Sequence, residues 1–283
     1  MTSRVHGGLI TASVGAQAKL AIRYQTRHTE ALKNDSGRLA TGKRINKAAD
    51  DAARLAISTK LNAQTRGKGQ AMRNANDAIS LVQMAEGGLG EISNTITRLR
   101  ELAIQSASDT ITDSERYMLD LENNRSKDTI NQISGTNMLF GHQLLKGQSR
   151  TLDLQIDSGS SGYSRVQVSL DDLAQSTDAL GISSIRLDSK RGAQEALEYL
   201  DKAMDKVSGT RAKLGALQKR FISTTDKLQT DIHSFKAADS RLMDTDFAKT
   251  TADMTINKIK ESVTTSVQGQ ANFDMQQALK LIG

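Results

Sequence analysis

The residues of this chain that could do chemistry begin with Gly37-Arg-Leu-Ala-Thr-Gly42-Lys43, which has the glycine and lysine spacing of a phosphate-binding loop. In such a loop backbone N–H groups cradle phosphates, the lysine reaches the outer ones, and a following Ser or Thr holds magnesium. Here the following residue is Arg44, and Lys33-Asn-Asp-Ser36 stands where an apolar strand should lead in. Nucleotide binding therefore lacks both its metal ligand and its structural setting. Three carboxylate pairs, Asp50-Asp51, Asp171-Asp172 and Asp244-Thr-Asp246, could in principle hold a divalent cation. Calcium and magnesium need several convergent oxygens, and no EF-hand spacing surrounds these pairs, so helix N-terminal acids or surface ion pairs explain them better. His6, His28, His142 and His233 are scattered with no i, i+4 pairing, and the chain has no cysteine. That excludes disulfides, thiolate metal sites and cysteine nucleophiles. No nucleophile–base constellation is visible, and the expectation is a protein that is not an enzyme and uses no cofactor or metal.

Charge adds one more candidate. Residues 1–46 contain eight Lys/Arg against Glu30 and Asp35, so this segment alone carries the chain's whole net charge of +6. A basic segment can bind nucleic acid or anionic lipid. Only Tyr24 interleaves with these charges and no binding motif accompanies them, so the segment reads as a solvated helix face or a protein contact. No nucleic acid partner and no membrane insertion are expected. The mild stretch Val5–Ala18 is too rich in Gly, Ser, Thr and Gln for the apolar part of a signal peptide, which points to another route if the protein is secreted.

The elements that would position these residues are helices. Not one proline occurs in 283 residues, where ordinary usage predicts about 14, and proline breaks helix interiors. Aromatic residues make up only 3%, too few for a thick globular core. Val82, Ala85, Leu89, Ile92, Ile96, Leu99 and Ala103 repeat at 3-4 spacing, a heptad seam. A second seam runs through Leu197, Leu200, Met204 and Val207, then through Leu214, Leu217, Phe221, Leu228 and Phe235. Near the end Ile256, Ile259, Val263 and Ser266 repeat the pattern toward Phe273 and Leu279, and Leu9, Ala12, Ala16 and Leu20 carry a weaker version at the start. Stripes this narrow are stabilised mainly by packing on one another. Thr112-Asp-Ser-Glu115 is a capping box that predicts a shorter helix through Tyr117, Leu121 and Ile130 to about Gly135. Leu152, Leu154 and Ile156 alternate, as do Val166, Val168 and Leu170, around Ser158-Gly-Ser-Ser-Gly162, which predicts a β-hairpin. The expected fold is mainly α, with long coiled-coil helices from both termini packed together and a small β-hairpin region.

A collinear set of motifs resembles those of the bacterial flagellins. The segment Leu39–Ser58, with Arg44-Ile-Asn46 and Asp50-Asp51 at its centre, is similar to the family's N-terminal signature, and Asn76–Gly87 and Arg98–Gln105 extend it. Gly192–Leu197 and Arg211–Phe221 resemble the family's second long helix. Arg241, Asp244 and Asp246 within Ser240–Ala248, with Gln270-Ala-Asn272, resemble its terminal helix. The resemblance implies a structural subunit that polymerises into the extracellular flagellar filament for swimming motility. The related alternative is a hook–filament junction protein. It further implies an inner terminal coiled-coil domain of residues 1–46 and 238–283, and a rod-like helical domain of residues 47–237 with its hairpin near 150–170. Polymerisation seams would run through Leu9, Ala16, Leu20, Ile256, Ile259, Val263 and Leu279, while Val82, Leu89, Ile92, Ile96, Leu99, Leu214, Leu217 and Phe221 pack the rod helices. The implied partners are other copies of the chain, junction and cap proteins, and an export chaperone at the C-terminus. The resemblance also places Arg98, Leu102 and Glu122 in a patch that an innate immune receptor can grip. The usual outer variable domains are missing, Arg54 replaces a glycine after Asp-Asp-Ala-Ala, and Phe273 stands where a proline usually follows Gln-Ala-Asn. These departures point to a specialised member of the family.

Overall fold

Helices account for nearly all of the regular structure, as a proline-free sequence with 3-4 apolar spacing requires. The structure, a computed structural model, describes residues 2–147, 150–159 and 162–282. Side chains are described from Lys19 onward, other than those of Tyr163, Met275, Ala278, Leu279, Leu281 and Ile282. The helices are α1 (Thr2–Thr41), α2 (Ala52–Ala107), α3 (Asp113–Thr136), the single turn α4 (Thr177–Leu180), α5 (Lys190–Met243) and α6 (Phe247–Ile282). Two antiparallel strand pairs interrupt them: β1 (Met138–Leu139) with β2 (His142–Gln143), and β3 (Thr151–Gln155) with β4 (Arg165–Ser169). The chain divides into two compact units, Met1–Asn62 with Phe235–Gly283, and Ala63–Ser234.

The central unit, Ala63–Ser234, holds the apolar core. Every member of the α2 seam from Val82 to Ala103 is fully buried. Facing it from α5 are Leu200, Val207, Leu214 and Phe221, also fully buried, with Leu197, Met204 and Leu217 at the margin. The expected hairpin is present: Leu152 pairs with Val168 and Leu154 with Val166, and Val166 and Val168 turn into the core. Its connection includes residues outside those described. The β1–β2 hairpin has no forecast in the sequence. Its turn is Phe140-Gly141, with φ of 51° and 80°, a position where Asn-Gly is the usual turn pair.

The capping box is formed in full. Glu115 N–H donates to the Thr112 hydroxyl and the Glu115 carboxylate accepts from Thr112 N–H at 2.7 Å. The helix that follows runs through Tyr117, Leu121 and Ile130 to Thr136 as expected, and its N-terminal half turns a polar face inward. Arg116, Asp120 and Asn123 are buried while Tyr117, Met118 and Leu121 are exposed. The Arg116 guanidinium donates to the carbonyls of Ser106 and Ser108, closing the α2–α3 turn. Asp120 accepts from Leu187 N–H at 2.7 Å and so anchors the strand-like approach to α5. Buried charge is tolerated here because each group meets backbone partners.

In the terminal unit α1 packs along α6. The helix breaks that precede α2 and follow α5 lie together: the backbones of Lys43 and Asp244 form an isolated antiparallel β-bridge, Arg44 N–H donates to the Met243 carbonyl at 2.6 Å, and Thr245 N–H to the Gly42 carbonyl at 3.0 Å.

Candidate functional site

The surface of interest is the α1–α6 pair, and its geometry follows from which stripe of each helix turns inward. On α1 the residues withdrawn from solvent include Ala21, Gln25, His28, Leu32 and Asp35, with Ala31 and residues 37–39 beside them. On α6 they are Thr250, Met254, Asn257, Glu261, Thr264, Gln268 and Ala271. A 4-3 spacing recurs along both, a heptad seam, yet many members are polar. Across it Asn257 donates to the Asp35 carboxylate at 2.9 Å and the Thr29 hydroxyl to Glu261 at 3.0 Å. Buried polar pairs at heptad positions fix register and partner at some cost in stability.

The apolar stripes expected to form the seams lie one or two positions away. Leu20, Ile256, Ile259 and Val263 are exposed, and so are Ile22, Tyr24, Val267 and Phe273. The intramolecular pairing therefore leaves a continuous apolar edge on α6 without a partner among the described residues. Leu9, Ala16 and Leu279 lie on α1 and α6, but their side chains fall outside the described residues. The sequence reading missed the inward stripe because polar side chains carry no hydrophobic signal; the 4-3 recurrence of Thr250, Met254, Asn257, Glu261, Thr264 and Gln268 was the available one.

The residues of the N-terminal signature build the paired helix breaks. Ile45 is buried, and the Arg44 guanidinium donates to the Leu242 carbonyl at 3.1 Å. The Asn46 amide donates to the Lys43 carbonyl at 3.2 Å. Asp50 accepts the backbone N–H of both Asn46 and Lys47, at 2.9 and 3.0 Å. These donors hold its carboxyl below the usual aspartate range, as donors to a carboxylate do. Asp51 accepts from Arg54 N–H at 2.9 Å and caps α2; Asp246 accepts from Lys249 N–H at 3.1 Å and caps α6. Asp244 accepts from the Ser240 hydroxyl. Arg241, Gln270 and Asn272 are exposed, Gln270 donating to Asp274 at 3.3 Å. The carboxylate pairs are thus turn and cap residues. Gly37 through Thr41 belong to the last turn of α1 rather than to a loop after a strand.

Arg98 and Glu122 meet at 2.9 Å on the surface between α2 and α3, whereas Leu102 is buried beside Leu99. Only two of the three residues placed in the receptor patch are open to a partner.

A core of long paired helices, terminal helices that bury a polar seam, and an unused apolar edge describe a subunit built to associate. Two family models match: the bacterial flagellin N-terminal helical region over residues 15–150, and the bacterial flagellin C-terminal helical region over residues 197–282. The chain belongs to the bacterial flagellin family. It is 36% identical over 245 residues to a flagellin from Halalkalibacterium halodurans, covering 87% of this chain and 89% of that protein. Over 262 residues it is 32% identical to the flagellar filament 31.3 kDa core protein of Treponema maltophilum, covering 88% of this chain and 92% of that one. A putative flagellar hook-associated protein from Vibrio parahaemolyticus superposes with a TM-score of 0.55 over 69% of this chain and all of that one. At 14% identity this likeness shows the fold alone. Family membership makes the chain a structural subunit of the extracellular flagellar filament, and not an enzyme.

Proposed function

We propose that the chain polymerises through the apolar edges that the α1–α6 pair leaves open, with Leu20 on α1 and Ile256, Ile259 and Val263 on α6 as contact residues. The observation that carries this is the offset between the two stripes. The heptad stripe turned inward is largely polar, and the apolar stripe beside it is exposed over three turns of α6. Burying each of these aliphatic side chains between copies is favourable by about 1.5–3 kcal/mol, while leaving them wet in the monomer has no benefit to its fold. In this reading residues 1–46 with 238–283 act as the assembly domain and residues 47–237 as the helical domain it carries. The same edge on α6 is the surface that an export chaperone would cover before assembly. Cap and junction proteins would meet it at the ends of the polymer, and Arg98 with Glu122 are the residues left to an innate immune receptor.

The double variant I259D/V263D tests this. Both side chains are exposed, so far-ultraviolet circular dichroism of the monomer should be unchanged while seeded filaments, counted by electron microscopy and sedimentation, are lost. Filaments forming at the wild-type rate would remove α6 from the contact.

A further inference from the structure

In the central unit β3 pairs only with β4, and between β3 and α2 lies a cleft of about 400 Å³. Leu81 of α2 and Leu152 and Leu154 of β3 give it an apolar lining, and Phe140 from the β1–β2 turn adds an aromatic ring. Two carboxylates line it as well, Asp77 from α2 and Asp153 from β3. Both are exposed, and neither is ion-paired among the described residues. Arg73 and Arg165 are the cations placed to neutralise them, yet they donate to the neutral amides of Gln70 and Gln155, both at 3.0 Å. Phe140 is 69% exposed and has a φ of 51°, a backbone region that bulky residues avoid. Its ring adds nothing to the buried core.

We propose that this cleft binds a linear aliphatic polyamine, its methylene chain lying along Leu81, Leu152 and Leu154 and its ammonium groups meeting Asp77 and Asp153. The lining decides the class of ligand. Two carboxylates carried on different elements, with leucines among them, call for separated positive charges joined by an apolar chain. A divalent metal ion would need several convergent oxygens, and a monoamine would leave one carboxylate unanswered. The exposed ring of Phe140 offers a face that attracts ammonium groups. The outer edge of β3 supplies acceptors too. There the Asn74 amide already donates to the Gln155 carbonyl at 3.0 Å, and an ammonium has three donors to share among such groups. Apolar burial sets the affinity in this arrangement, and the two charges set the ligand's span. The site belongs to the central unit alone and stands whether or not the chain polymerises.

Isothermal titration of the full-chain monomer at neutral pH and low ionic strength tests this, with 1,5-diaminopentane as the probe. Saturable one-to-one binding is expected, with a Kd of about 0.1–1 mM. D77N and D153N keep the shape of two exposed side chains, so circular dichroism should be unchanged while each weakens binding about three- to fivefold, the worth of one exposed ion pair. The double variant D77N/D153N should lose about tenfold or more. Ethylenediamine has the same charge with little methylene chain and should bind several-fold more weakly, as should n-pentylamine with one charge. D205N removes an exposed carboxylate of α5 outside the cleft and should change nothing. No saturable binding, equal weakening by D205N, or ethylenediamine or magnesium binding as tightly as the probe would each overturn the proposal. Trilysine binding tenfold more tightly than the diamine would also overturn it and give the cleft to a basic peptide.

Discussion

Glycine 88 shows how one residue sets the close approach of two elements. A Cβ at Gly88 would stand 2.3 Å from the Asn137 side-chain nitrogen and 2.8 Å from Leu145 Cδ1. Asn137 donates to the Met84 carbonyl at 3.0 Å and Leu145 is fully buried, so neither neighbour can yield without losing a bond or strained packing. Gly90, two residues on in the same helix, has nothing within 4 Å of that point. Alanine is a better helix former than glycine by about 1 kcal/mol, and overpacking a core costs about 1–3 kcal/mol. Gly90→Ala should therefore raise the melting temperature by about 2–4 °C, while Gly88→Ala should lower it, as differential scanning calorimetry would show. Equal shifts in the same direction would mean that the contact at Asn137 is not tight. The signature carboxylates act at this same scale: Asp50, Asp51 and Asp246 satisfy N–H groups that helix starts and turns leave open, which is a structural reason for their spacing.

At the scale of the element, α1 and α6 gain specificity from the polar pairs in their seam. Asn257→Ala would leave the Asp35 carboxylate, 7% exposed, without its donor across the helix pair; Arg38, at 3.7 Å, belongs to the same helix. Depriving a buried charged group of a partner costs about 1–3 kcal/mol or somewhat more. The variant should lose terminal-helix ellipticity at a lower temperature, with the transition of the central unit unmoved. Replacing both partners, D35L/N257L, should restore or raise that temperature but admit other registers, visible as dimers in sedimentation velocity. A double variant as unstable as the single would contradict this. The elements differed in legibility for the same physical reason. The α2 seam was readable because its heptad positions are all Val, Ile, Leu or Ala. The inward faces of α1, α3 and α6 were not, since they carry polar groups whose partners are remote in sequence, such as Leu187 N–H for Asp120 and Asn257 for Asp35. The β3–β4 pair announced itself by alternation, whereas β1–β2 is two residues long and turns on Phe140.

For the whole molecule, the division of labour between its two units makes the ends separable from the core. The central unit has its own continuous apolar cluster, from Ala75 to Phe221, drawn from α2, α3, the strands and α5. The terminal unit has no comparable cluster among the described residues; its helices are amphipathic pairs whose stability comes from each other. Deleting residues 256–283 should therefore leave a soluble monomer that melts at the temperature of the intact central unit. Its helix loss should exceed the deleted segment, because α1 loses Asn257 and Glu261, the partners of Asp35 and Thr29, and frays with them. It should form no filaments, since the exposed edge at Ile256, Ile259 and Val263 is removed at the same time. The magnitude is decided by the helix content rather than by the melting point. A loss equal to the deleted residues alone would show that α1 holds its helix unaided, and the polar seam would then be a consequence of assembly instead of a scaffold for it. If the melting point of the core falls as well, the two units are one cooperative structure, and the separation of assembly from folding fails.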